Sequence, residues 1–285
     1  MDFQDLVNGL FPSLKGNVYK YIRQAVAYQL ISIGKTPFFR DSIHILLLGE
    51  PGTGKSHMLK YVSMIPGNKY VNGENLTIAG LIGYTSMYNV QQGVVSTVNG
   101  ILCIDEITKA NKTVRERMNE LLEELSVTIA KAGKMVKYDV NLAVLAAANP
   151  KHGVFKGKDI IEQIDLPPTV IDRFDLIFVL RTQNIDKIAT ENYVFNNDEL
   201  VKYLNEVRSI NPDIGIIDLS KLNIALPTSG VYLSDRRLMT ILRLAKAIAR
   251  SYKDNVVKDE YIEEAEKFFI KIVNRLFGYD IQDID

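Results

Sequence analysis

The stretch Gly49-Glu50-Pro51-Gly52-Thr53-Gly54-Lys55-Ser56 decides the fold. It matches G-x-x-x-x-G-K-[ST], a loop whose glycines let backbone N–H groups turn inward around phosphate oxygens. Ile43–Leu48 runs straight into it and reads as one apolar run, as expected of a strand buried on both faces of a parallel sheet. A helix is expected from about Lys55, with its positive N-terminal end aimed at the same anion. The bland alternative is a Gly-rich turn that only joins strand to helix. The strand–loop–helix context favours phosphate binding. Lys55 would place a cation on the β- and γ-phosphates, and the Ser56 hydroxyl would ligate Mg²⁺. Glu50, Pro51, Gly52, Thr53, Gly54 and His57 belong to the same expected nucleotide site.

Working outward, Ile101–Ile104 is a second buried strand and ends in Asp105-Glu106. After a phosphate loop, such an acidic pair is what a nucleotide hydrolase needs. Asp105 would hold Mg²⁺ through water, and Glu106 would polarise the attacking water. The alternative is a solvated acidic pair. Leu142–Ala148 is a third buried strand, stopped by Asn149-Pro150, and Leu176–Leu180 is a fourth. Asn149 lies at a strand end, where α/β sheets carry ligands, and its amide could orient water near the γ-phosphate. Taken alone, Asn-Pro is more often a turn signal.

The spacing predicts helices over Val18–Ile33 and over Thr113–Leu125, the latter with a Thr113/Glu116 capping box. Val127–Ala130 and Met135–Tyr138 flank Lys131-Ala132-Gly133-Lys134 and read as a β-hairpin. After Arg181 the strand–helix alternation stops, and Ser234–Tyr252 and Asp259–Phe277 read as helices with one apolar face. The expected organisation is an α/β domain over 1–181, then a small helical lid domain over 182–285.

The 285 residues exceed the usual single domain, and 47 % hydrophobic residues suffice for a real core. Lys+Arg and Asp+Glu are each 34, so any nucleic-acid contact must be local rather than a matter of net charge. One cysteine, Cys103, excludes an internal disulfide and a cysteine-based zinc site, and fits a reducing, intracellular compartment. No apolar run approaches a membrane span, and Met1–Leu10 does not read as a signal peptide.

The set of motifs resembles the AAA+ motor of the MCM (minichromosome maintenance) replicative helicases. The likeness is carried by Ser13–Gly16 with the helix after it, by Ile43–Gly52, and by Leu102-Cys103-Ile104-Asp105-Glu106. It continues in Ile129–Gly133, Ala146–Pro150, Ile171–Leu176, Ser234–Leu238 and Leu242–Ala245, in order along nearly the whole chain. The resemblance implies an ATP- and Mg²⁺-dependent motor in a hexameric ring, with ATP sites between neighbours. Arg173 would be the arginine finger and Arg236 a second sensor, both acting on the neighbour's nucleotide. Without the resemblance each would be a surface or salt-bridged arginine. Lys131 and Lys134 would touch DNA from the hairpin in the ring channel, with Lys137 adding charge; the alternative is a basic solvated turn. Tyr84, Met87 and Tyr88 lie where the family carries a second insertion, and packing is the preferred reading for them.

Against the family the chain carries Gly54 where alanine is usual, and the reading expects no N-terminal collar and no room for a winged helix after Phe277. The expectation is an excised motor or a compact natural relative, cytoplasmic and nucleoid-associated, with a separate collar or loading factor as partner. The rival readings are a protein remodeller of the MoxR or chelatase type and a non-catalytic ring or adaptor subunit.

Overall fold

The computed structural model describes residues 1–36, 40–85, 90–131, 134–157, 159–182, 187–188, 195–215 and 235–276. The chain opens with α1 (Phe3–Gly9), the short strand β1 (Leu14–Lys15) and α2 (Asn17–Ile31). In α2 Val18, Ile22, Ala25, Val26 and Leu30, which recur at helical spacing, are buried. The helix stops at Ile31 rather than Ile33, and Tyr19, Ala27 and Tyr28 are buried too. One side meets the sheet and the other meets helices, so a single stripe understates its burial.

Next come β2 (Ile45–Gly49), α3 (Lys55–Ser63), β3 (Lys69–Asn72), α4 (Ile78–Ile82), β4 (Gly83–Thr85), β5 (Val90–Gln92) and β6 (Asn99–Asp105). They are followed by α5 (Lys112–Glu124), the hairpin strands β7 (Ser126–Lys131) and β8 (Lys134–Asp139), and β9 (Asn141–Ala148). The remaining elements are α6 (Pro168–Ile171), β10 (Leu176–Leu180), β11 (Lys187–Ile188), α7 (Asn197–Ser209), α8 (Asp235–Ser251) and α9 (Asp259–Leu276).

Five strands form a parallel sheet in the order β10-β2-β9-β6-β3. Alternate side chains of its inner strands enter different cores. Ile45, Leu47, Ile101, Cys103, Leu145 and Ala147 pack with α1, α2, α3, α7, α8 and α9. Leu46, Leu48, Leu102, Ile104, Val144 and Ala146 pack with α5, α6 and the base of the hairpin. The first of these cores takes residues from both sides of position 181. His44 interrupts the apolar run without an unpaired group. Its Nδ1 accepts from the Val144 N–H, so Nε2 carries the proton and donates to the Leu122 carbonyl. Burial, with Arg40 next, keeps this imidazole neutral by pushing its pKa well below the usual value.

The Thr113/Glu116 capping box is not formed. Asn111 caps α5 by accepting from the Val114 N–H, which puts Thr113 inside the first turn. The helix ends on Leu125 in the left-handed region, φ 47°. A leucine there costs roughly 1–2 kcal/mol, and complete burial of its side chain offsets that strain. In the helical part, α8 begins at Asp235 and ends at Ser251; Ser234 and Phe277 lie outside the described residues. The helix α7 was not anticipated, although Leu200, Tyr203, Leu204 and Val207 carry a helical stripe behind the Asn196 cap.

Candidate active site

The phosphate loop leaves β2 at Gly49 and enters α3 at Lys55. Gly52 and Gly54 have φ of 82° and 76°, backbone that side chains disfavour. At Gly54 a Cβ would also sit 3.0 Å from Leu14 Cδ1, so alanine would be strained in this loop. The Lys55 ammonium is folded onto the loop itself. It donates to the Gly49 and Glu50 carbonyls, each at 2.7 Å, and to Thr53 Oγ1 at 3.2 Å. Burial lowers its pKa to about 8, against the pull of Asp105 and Glu50. Pro51, Gly52 and Ser56 are exposed at the mouth. His57 is exposed too and shares a hydrogen bond with Ser13 Oγ. Glu50 contributes its backbone to the loop while its carboxylate turns away. It accepts from the Phe155 N–H and from the Thr182 N–H and hydroxyl, tying the loop to the end of β10. Burial alone would raise the Glu50 pKa; the Thr182 and Phe155 hydrogen bonds outweigh it and hold the carboxyl below its usual value.

Asp105 ends β6, two strands from the loop, with β9 between them. Its Oδ2 accepts from the Tyr70 hydroxyl at 2.9 Å and its Oδ1 from the Glu106 N–H. Burial and then this hydrogen bond raise the Tyr70 pKa to about 12, so the phenol remains a donor. Glu106 has φ 48°, a left-handed turn that swings its carboxylate off the strand direction. Asn72 Nδ2 lies 3.4 Å from one Glu106 oxygen, and Lys109 pairs with the other at 2.9 Å. A Cβ on Gly73 would sit 2.5 Å from the Glu106 carbonyl, so only glycine permits this approach. The edge strand β3 therefore supplies partners to both acids, Tyr70 to one and Asn72 to the other. Neither was foreseen: Lys69-Tyr70-Val71-Asn72 is too short and too polar to announce itself as a strand.

Asn149 begins the loop after β9, where Ala148 lies opposite Leu48 at the end of β2. It is half-buried, and its amide takes no hydrogen bond among the described residues. Lys55, Ser56, Asp105, Glu106 and Asn149 thus gather at the C-terminal edge of one parallel sheet, where such sheets carry ligands.

The remaining site residues lie at the other edge. Arg173 precedes β10, whose first residue pairs with Ile45 and whose last pairs with Gly49. The strand spans about 16 Å at roughly 3.3 Å per residue, more than an arginine side chain can reach. Arg173 Nη1 donates to the Thr169 carbonyl, and Nε lies 3.2 Å from Glu123 Oε2. Arg236 donates to the Asp172 carbonyl and to the same Glu123 oxygen at 3.1 Å. The hairpin also springs from this edge, since only Val140 separates β8 from the first residue of β9. Lys131 and Lys134 are register partners at its far end; Ala132 and Gly133 lie outside the described residues. Lys137 adds no free charge, because its ammonium is 2.7 Å from Glu124 at the hairpin base. Tyr84 is exposed rather than packed, while Met87 and Tyr88 lie outside the described residues.

No helix among the described residues is long and apolar enough to cross a membrane. The family model of the MCM P-loop domain matches residues 2–194. The minichromosome maintenance protein MCM of Saccharolobus solfataricus is 30 % identical over 98 % of this chain and 46 % of its own length. The DNA replication licensing factor mcm4-A of Xenopus laevis is 29 % identical over 92 % of the chain and 36 % of its own length. The licensing factor MCM4 of Drosophila melanogaster is 32 % identical over 80 % of the chain and 30 % of its own length. The chain spans less than half the length of these relatives. A match over two thirds of the sequence, on a sheet that brings the phosphate loop and the acidic pair to one edge, places this chain in the MCM family.

Proposed function

We propose that the chain is the ATP-hydrolysing motor of an MCM-like DNA helicase, acting in a hexameric ring with nucleotide sites between neighbouring subunits. Membership in a P-loop family implies nucleotide binding. One observation carries the rest: the residue types needed for phosphoryl transfer are split between opposite edges of one sheet. Lys55, Ser56, Asp105, Glu106 and Asn149 form one half, and Arg173 and Arg236 lie a strand length away. Two subunits stacked edge to edge would bring one protomer's arginines onto its neighbour's phosphates.

In that arrangement the loop N–H groups and Lys55 hold the phosphates. Lys55 exchanges the loop carbonyls for phosphate oxygens, and its charge strengthens as it does so. Glu106 orients the attacking water and takes its proton, with Asn149 steadying the water. The partner's arginines neutralise the charge that builds on the transferred group. Ser56 and Asp105 would hold Mg²⁺, which neutralises phosphate charge when bound. Their oxygens suit a hard cation, and magnesium bound through phosphates and water needs no dense cluster of protein ligands; among the described residues there is none. Lys131 and Lys134 would grip phosphates of DNA in the ring channel. Six copies of a hairpin concentrate charge there without making the protein basic.

The test is steady-state ATPase activity across protein concentration, with and without single-stranded DNA. Specific activity should rise with concentration, because association completes the site, and DNA should raise it further. A specific activity indifferent to dilution would point to a self-contained ATPase. One indifferent to DNA would favour a remodeller of proteins.

A further inference from the structure

Glu123 stands in the last turn of α5, between two elements that sequence alone does not connect. Its Oε2 lies 3.2 Å from Arg173 Nε and 3.1 Å from Arg236 Nη2. Each guanidinium is pinned at a second point, Arg173 by the Thr169 carbonyl at 2.7 Å and Arg236 by the Asp172 carbonyl at 3.1 Å. Arg236 also lies 3.2 Å from the Asp172 carboxylate. Among the described residues Arg173 Nη2 and Arg236 Nε have no acceptor, so each arginine keeps an unengaged donor, and the buried Arg173 Nε meets Glu123 as an ion pair without a hydrogen bond. Two guanidiniums converging on one point repel each other unless a carboxylate lies between them.

We propose that Glu123 is a positioning residue that assembles Arg173 and Arg236 into one two-pronged anion receptor for the neighbouring subunit's nucleotide phosphates. It rests on the reading that these arginines act across an interface, and adds the group that sets their spacing. Glu123 touches no phosphate. It holds two cations, one from the turn before β10 and one from the start of α8, in a common orientation before the neighbour arrives. The next residue, Glu124, binds Lys137 of the hairpin, so Glu123 is fixed in a helix end that is itself anchored.

The experiment uses Glu123→Ala and Glu123→Gln in the full chain, mixed with Lys55→Ala and, separately, with Arg173→Ala. Misplacing a reacting group by about 1 Å costs up to about 100-fold. Glu123→Ala should therefore lose roughly ten- to 100-fold in kcat, with Mg-ATP affinity within about twofold of wild type because the phosphate loop is untouched. Glu123→Gln, which keeps the shape and loses the charge, should fall between. The unfolding midpoint should barely move, since a half-exposed ion pair contributes little stability. Mixing Glu123→Ala with Lys55→Ala should restore activity above that of either alone, because some interfaces then join one intact half from each chain. Mixing Glu123→Ala with Arg173→Ala should restore none. Wild-type kcat in Glu123→Ala overturns the proposal. So does an impaired Glu123→Ala that Lys55→Ala cannot rescue while Arg173→Ala and Lys55→Ala rescue each other. Failure of that last pair to complement would instead remove the shared site itself, and the role of Glu123 with it.

Discussion

Asp105 and Asp175 are both buried carboxylates at the ends of parallel strands, one at each edge of the same sheet. Asp175 is saturated. It takes both Arg40 contacts at 3.1 Å, Arg243 at 2.7 Å, Thr240 at 3.2 Å and the His44 N–H at 2.7 Å. Burial alone would raise its pKa, but Arg40 and Arg243 outweigh that and bring it down to about 2. Nearby, Asp41 is shared by Lys246 and Arg250, so three basic residues of α8 are spent on docking that helix to the sheet. Asp105 meets only a phenol and one N–H, and no cation lies in ion-pair contact with it among the described residues. A carboxylate whose lone pairs are already filled by cations holds a fold together. One whose charge is left uncompensated can meet a cation that arrives later.

The largest effect should come from the edge that is poised rather than saturated. Glu106→Gln should keep nucleotide binding and lose about 10²–10⁴ in hydrolysis, the usual worth of a positioned general base, with the protein still folded. Equal turnover by the two proteins would end the assignment. At the saturated edge the prediction reverses. Asp175→Asn should leave Arg40 and Arg243 buried against a neutral amide and cost about 3–5 kcal/mol of stability, read as a fall in the urea midpoint. Acid sharpens this contrast. The native carboxyl is depressed, so its contribution is full above the unfolded value near pH 4 and is lost as pH falls toward about 2. Each pKa unit is worth about 1.4 kcal/mol, so wild type should weaken across that window while Asp175→Asn, already weak, lacks this component. Parallel acid profiles would show that Asp175 is not the group.

Lys55 tests the poised edge by a smaller step. Its pKa of about 8 in the free loop should rise once phosphates replace the carbonyls around it. Binding then takes up a proton, and Mg-ATP affinity should fall about tenfold between pH 7 and pH 9. Lys55→Arg should flatten that dependence even where it binds weakly; an unchanged slope would mean that another group titrates. The smallest effect is expected at the hairpin. Lys131→Ala should leave basal hydrolysis near wild type and reduce the salt slope of single-stranded DNA binding by about 0.7 for each phosphate no longer neutralised. Identical slopes would place the DNA contact elsewhere.

Much of this was legible in the sequence, because the signals were local. Ile45–Ser56 carries a strand, a turn and a helix start within a dozen residues, and the apolar runs at Ile101–Ile104 and Leu142–Ala148 read as inner strands. The helices α8 and α9 were readable from their apolar stripes. Short or half-polar elements were not. The edge strand Lys69–Asn72 lacks an apolar run, and the α5 cap moved to Asn111 because Ser, Thr, Asn and Asp compete for the same role within a few residues.

The sequence by itself determined the sheet's inner strands, the phosphate loop and the acids that follow the second strand, since backbone freedom and hydrophobic periodicity are properties of neighbouring residues. Only the tertiary structure decided which charges are spent and which are free. Residue order alone names no partner for Arg173, Arg236, Arg243 or Lys246. Two of them are sealed onto Asp175 and Asp41, and two share Glu123 at the surface. Such pairings join residues far apart in the chain, 205 positions for Lys246 and Asp41. A charge's role depends on the distance to its partner and on the water left between them, and neither is written in residue order.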